Sequence, residues 1–209
     1  MKKAGRKFAS TFGAIMALAG IEHGIGEILQ GNVSPDGIMI LSWPGSEFFR
    51  NLSGEPAMTV IPNLLVTGIL ATLVSLALLV WSLLFVHRQN GGRIMMILSV
   101  AMLLVGGGIF PPILAILIGA VATRSNTPQP LSIVSHPDGF RRFLANLWPW
   151  SYSASIIAWL SLLPGIPLLA YFFGVDNTVV ILVILFFAFG TLLLNIFASS
   201  AYDFQVRSG

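Results

Sequence analysis

Residues 59–86 read TVIPNLLVTGILATLVSLALLVWSLLFV, without one Asp, Glu, Lys, Arg or His. A run of that length exceeds the ~20 residues an α-helix needs to cross ~30 Å of hydrocarbon. In oil the backbone N–H and C=O groups find no water, so such a run is stable only as a helix that satisfies them internally. Working outward, residues 94–122, 148–174 and 179–199 are equally free of ionisable side chains, and residues 8–29 form an apolar run that carries charge only toward its far end. The sequence therefore predicts an all-α integral membrane protein, a single polytopic domain over residues 1–209 with about five transmembrane helices.

Hydrophobic residues make up 56% of the 209-residue chain and charged residues 9%, against about 25% charged in soluble domains. So few charges cannot cover a water-soluble surface, and the lipid bilayer is the first partner the composition implies. The net charge of +3 and the pI near 9.7 do not indicate nucleic acid. The 11 lysines and arginines are spread thinly around apolar runs, where they act as topology determinants and not as a phosphate-binding stripe. The chain has no cysteine, which excludes disulfides, thiolate metal sites, a cysteine nucleophile and palmitoylation.

Lys2, Lys3, Arg6 and Lys7 precede the first run, so the positive-inside rule predicts a cytoplasmic amino terminus in a plasma-membrane protein. Five crossings then put six basic residues inside (those four with Arg88 and Arg93) and five outside (Arg50, Arg124, Arg141, Arg142 and Arg207). The first helix carries that expectation, because the carboxy-terminal half runs against the rule. The same segment, with its small triplet Ala17-Leu18-Ala19, also has the outline of a signal peptide. Apolar residues resume at Ile21, Ile25, Ile28 and Leu29, which favours a full-length helix.

Two loops carry helix signals. Ser46 precedes Glu47, Phe48, Phe49, Arg50, Asn51 and Leu52 between Pro44-Gly45 and Gly54, the pattern of a short helix capped by Ser46 and resting on the membrane surface. Pro137 stands at a helix start, with Ser135 or Asp138 as its cap, and Phe140, Phe143, Leu144 and Leu147 recur at helical spacing. That spacing predicts an interfacial helix ahead of the fourth span, and Trp148, Trp150 and Tyr152 an aromatic belt beside it.

The sharpest chemical signal is Glu22-His23-Gly24-Ile25-Gly26-Glu27 in the first span. One helical turn separates His23 from Glu27, so Met16, Ala19, His23, Glu27 and Gln30 share a face, while Glu22 is rotated about 100° away. Ionisable groups in hydrocarbon cost several kcal/mol, and they usually face a cavity or a partner. Glu22, His23 and Glu27 are therefore the candidate ligand- or proton-binding side chains. Glu27, near the far end of the helix, could instead simply meet water or headgroups.

The third run holds Gly106-Gly107-Gly108-Ile109-Phe110-Pro111-Pro112. Three glycines and two prolines predict an interrupted helix near mid-span, a discontinuous element of the kind that lines transporter sites. Gly107, Gly108 and Pro111 join the candidate site on that ground, through freed backbone carbonyls. A milder break is expected at Leu163-Pro164-Gly165-Ile166-Pro167. Ala9, Gly13 and Ala17, with Gly20 and Gly24, give the small-residue spacing that lets helices pack closely.

No phosphate-binding loop, nucleophile elbow or dinucleotide fingerprint occurs, and no cofactor is expected. No metal is expected either: the candidate ligands lie on two helix faces, and the other spans supply no further one. The residues favour binding or transport of a small solute or proton at an intramembrane cavity between the first and third spans. Two alternatives stand beside that reading: an accessory or scaffold subunit, in a homo-oligomer or a larger membrane complex, and a membrane-embedded enzyme acting on a lipid-soluble substrate.

Overall fold

A computed structural model describes residues 3–125, 138–174 and 177–208. The chain is nearly all-α: α1 (Lys3–Gln30), α2 (Leu64–Val80), α3 (Gly91–Leu104), α4 (Phe110–Ser125), α5 (Asp138–Leu160), α6 (Ile166–Phe173) and α7 (Thr178–Ser208). A small antiparallel ribbon, β1 (Met39–Leu41) and β2 (Pro56–Met58), lies between α1 and α2, with Ile40 opposite Ala57. A π turn over Trp81–Phe85 lengthens α2, and another over Ser161–Gly165 joins α5 to α6 without ending the helix.

Among the described residues, four helices are long and apolar enough to cross a membrane: Ala4–Gln30, Leu64–Phe85, Gly139–Phe173 and Thr178–Gln205. The fifth expected span, 94–122, is not one interrupted helix. Gly92 lies against Gly119 and Thr123, and Gly119 against Met96, so α3 and α4 run antiparallel, side by side. The glycines that predicted a break reverse the chain instead. Gly106 and Gly108 sit at φ +99° and +85°, where a side chain would be strained. Pro111 and Pro112 then fall in the first turn of α4, where a missing amide N–H does no harm. At 14 and 16 residues, the two arms reach ~21 and ~24 Å.

This hairpin changes the sidedness of everything after it. Asp203 near the end of α7 accepts hydrogen bonds from the Ala4 and Gly5 amides at 3.0 and 2.9 Å, capping α1. Trp148, midway along α5, packs with Ala4 and Ala198, so the first half of α5 lies at and beyond the end where α1 begins. The expectation that Arg124, Arg141, Arg142 and Arg207 lie opposite the amino terminus is therefore wrong. The helix ends that bear them gather at the start of α1, along with the turn that holds Arg88 and Arg93. Among the described lysines and arginines, Arg50 alone stands at the other end.

Two surface helices also read differently in three dimensions. Phe140 to Leu147 form the first turns of the continuous α5, and Pro149 lies within that helix. Phe140 and Phe143 are exposed while Leu144 is buried against Ala201, so the amphipathic pattern belongs to bundle packing. Trp148 is buried and Tyr152 meets Thr11 at 2.7 Å, leaving Trp150 as the exposed member of the expected belt. Pro137 and Ser135 lie outside the described residues. In the first loop Ser46 caps nothing: a single 3₁₀ turn spans Arg50–Leu52, and Phe49 is buried under Trp43 at 4.9 Å.

The centre of the bundle is α1. Phe8, Phe12 and Met16 are fully buried on one side of it, in a core shared with Leu78, Met95, Ile118 and Trp159. Its small residues meet α2 and α3: Gly13 lies against Ser82 and Met95, Gly20 against Ser75 and Met102, and Gly24 against Gly68 and Thr72. The small-residue spacing read from the sequence marks this close crossing. Asn63 starts α2 by accepting from the Val66 amide at 3.1 Å, which leaves residues 59–62, expected in the span, to the loop.

Candidate functional site

The last turns of α1 bring three ionisable groups into the bundle, and the tip of the α3–α4 hairpin closes over two of them. His23 is 2% exposed and Glu27 is fully buried. A side chain at Gly106 would collide with the Glu27 carboxylate, and one at Gly108 with the His23 ring. The glycines thus serve close approach of backbone to side chain, Gly106 as much as Gly108. Gly107 turns away: its amide donates to the Met102 carbonyl at 2.8 Å, and it does not face the cluster.

A hydrogen-bonded chain links the two buried groups. Ser42 Oγ donates to Glu27 Oε1 at 3.1 Å and lies 2.8 Å from His23 Nδ1. With Glu27 ionised, the hydroxyl gives its one proton to the carboxylate and accepts from His23 Nδ1–H. That arrangement leaves the Nε2 lone pair of a neutral His23 on the other side of the ring, facing Glu55 Oε2 at 3.5 Å. A second pair closes the floor: Thr59 and Thr67, both buried, share a hydrogen bond at 2.9 Å.

Glu55 is the group that sequence reading missed. It follows Gly54 and precedes Pro56, and that triplet reads as loop punctuation. Its backbone has φ +56°, as does Ser53, with Gly54 between them at +73°. For a residue other than glycine this region costs of order 1–3 kcal/mol, and such strain concentrates at functional sites. The strand pair extends one step past β1 to hold it, Ser42 N donating to Glu55 O at 3.0 Å. Burial of the Glu55 carboxyl pushes its pKa up to about 7.

Glu22 and Pro111 line one cavity with about 130 Å³ of free space, together with His23, Glu55, Trp159 and Leu162. A second cavity of about 340 Å³ shares Ala19, Glu22, Glu55 and Leu163 with it and continues along Ile15, Phe48 and Leu168. The walls are mostly apolar side chains of α1, α4, α5, α6, α7 and the 44–56 loop, and Glu22, His23 and Glu55 are the ionisable groups among them. Glu22 Oε1 is buried there without a hydrogen-bond partner among the described residues. Of the sequence candidates, Glu22, His23 and Pro111 border the first cavity, Glu27 backs His23 through Ser42, Gly108 covers the ring, and Gly107 stands apart.

Comparison with known proteins finds no matching family model, no matching curated relative and no matching solved structure.

Proposed function

We propose that this membrane protein binds a small solute with an apolar body in the paired cavities beside α1, its polar end meeting Glu22, His23 and Glu55. The observation that carries this reading is that Glu22 and Pro111 border the same cavity, whose remaining walls are almost wholly apolar. Ionisable groups held at the end of an apolar pocket fix orientation, while the walls supply affinity. The Glu27–Ser42–His23 chain holds the imidazole in one tautomer, so the same end can pass or store a proton as the solute arrives.

The chain belongs, in this reading, in the plasma membrane with the start of α1 on the cytoplasmic side. Support comes from the described basic residues, of which only Arg50 lies away from that end. The apolar walls equally suit an enzyme acting on a lipid-soluble substrate, and that is the second reading the cavities favour.

A bromine-bearing fatty alcohol tests the proposal, because bromine quenches the emission of nearby tryptophan and Trp159 lines the cavity. Protein in detergent micelles is expected to show saturable quenching, lost when Leu163→Phe narrows the space and weakened in a Glu22→Gln, His23→Ala variant. Equal affinity in the wild type and that double variant would overturn the role given to the polar end.

A further inference from the structure

Glu22 and His23 come from α1 and Glu55 from the loop, and one donor atom of each lies within 4.8 Å of the other two. We propose that these three side chains bind a divalent transition metal of the zinc class, with an open coordination position facing the apolar cavity. The inference deepens the proposed solute site and rests on it: the solute's polar end would meet the metal.

The distances fit ligation better than direct pairing. His23 Nε2 and Glu55 Oε2 are 3.5 Å apart, beyond the ~2.7–3.2 Å of a good N–H···O bond. Two ligand atoms held ~2.1 Å from a tetrahedral zinc lie ~3.4 Å from each other. The hydrogen-bond directions agree. Ser42 takes the Nδ1 proton of His23 and leaves Nε2 as a lone pair aimed at a carboxylate oxygen. A lone pair facing a carboxylate oxygen in a buried site is satisfied by a cation held between them, either a proton or a metal ion.

Charge and surroundings point the same way. Two carboxylates and a neutral imidazole balance a dipositive ion, so the loaded site carries no net charge into a low-dielectric pocket. Metal-ligating histidines usually donate their other ring N–H to an outer oxygen, of a carboxylate, a backbone carbonyl or a water, which fixes the tautomer and the ring. Here the Ser42 hydroxyl, held by Glu27, takes that place. Three protein ligands beside a cavity also match the open arrangement of zinc sites that bind further molecules, as against the closed four-ligand arrangement of structural ones. The sequence gives no expectation of a metal because the other spans supply no further ligand, and Glu55 comes from a loop and not from a span.

Chelator-stripped full-length protein in detergent should be titrated with Co²⁺, whose visible absorption reports coordination, and then with Zn²⁺ in competition. One equivalent is expected to bind with a visible band that Zn²⁺ abolishes. His23→Ala should remove the band, and Glu22→Gln and Glu55→Gln should each weaken binding. Ser42→Ala, which touches no metal, should weaken it about 10–100-fold, while Glu47→Gln, an exposed acid of the same loop, leaves it unchanged. If His23→Ala does not fold, the two glutamine variants decide the matter. A wild-type protein without the band, or a band indifferent to Glu22→Gln and Glu55→Gln, overturns the metal site. Fatty-alcohol quenching in the same samples separates the readings: quenching without cobalt binding rejects only the metal, and absence of both rejects the solute site as well.

Discussion

Gly24→Ala tests the packing that places the site. At this position α1 and α2 touch backbone to backbone: a Cβ on Gly24 would stand 2.8 Å from both the Gly68 carbonyl oxygen and the Thr72 nitrogen. Neither is the end of a flexible side chain, so the helices must part by roughly half an ångström or more to restore ordinary contact, and a gap of that size forfeits a quarter to a half of the dispersion well. Overpacking of this kind costs about 1–3 kcal/mol, and the better helix propensity of alanine returns about 0.5–1 kcal/mol. A net loss of ~1–2 kcal/mol is expected, or a fall of roughly 2–8 °C in Tm at about 2–4 °C per kcal/mol for a chain of this size. Gly190→Ala in α7 is the control, since a Cβ there meets nothing within 4 Å. It should be neutral or slightly stabilising. Gly68→Ala presses on the same crossing from the other side, so the double variant should lose less than the sum of the singles. Thermal unfolding in one detergent at one scan rate measures the four variants against the wild type. Gly24→Ala as stable as Gly190→Ala would refute the argument that backbone contact at this crossing sets the position of His23 and Glu27.

Three further outcomes are expected. Asp203→Ala removes two hydrogen bonds from the first turn of α1 and should cost ~1 kcal/mol, with faster hydrogen exchange at the Ala4 and Gly5 amides; unchanged exchange there would count against the cap. Glu55 holds its proton up to about pH 7 in the folded state against an ordinary value of 4.5. Its contribution to stability is therefore full below pH 4.5, declines as pH rises toward 7 and is absent above, by up to ~3 kcal/mol. Metal-free protein should lose stability between pH 5 and 7, and Glu55→Gln should flatten that slope; an identical slope in the variant would contradict the assignment. Because the chain has no cysteine, single cysteines report sidedness directly. Gln89→Cys and Gly139→Cys should label from one face of a sealed vesicle and Gly45→Cys from the other, whereas five crossings would put Gln89 and Gly139 on opposite faces.

Most of the site was legible as residue types in one helix, and its completion was not. Glu22, His23 and Glu27 stand out because ionisable groups are otherwise absent from the apolar runs, a signal that needs no knowledge of the fold. Ser42 and Glu55 carry no such mark: in a loop of polar residues, glycines and prolines, a serine and a glutamate are unremarkable. They reach the site through the β1–β2 ribbon and a left-handed backbone at Glu55, both long-range consequences of pairing. The glycine-rich run was recognised as a break, but whether a break bends a helix or reverses the chain depends on what the two arms pack against.

By itself the sequence determined that the backbone must be helical in lipid, since uncharged runs of twenty or more residues have no other way to satisfy their amides. It also determined where charge enters that environment and where small residues permit close crossing. Tertiary structure decided that the expected span 94–122 is two antiparallel arms, because Gly92 packs on Gly119 and the later basic helix ends return to the side where α1 starts. It decided the ligand set as well, because a contact between α1 and residue 55 is set by strand pairing and hairpin docking, which local composition does not encode.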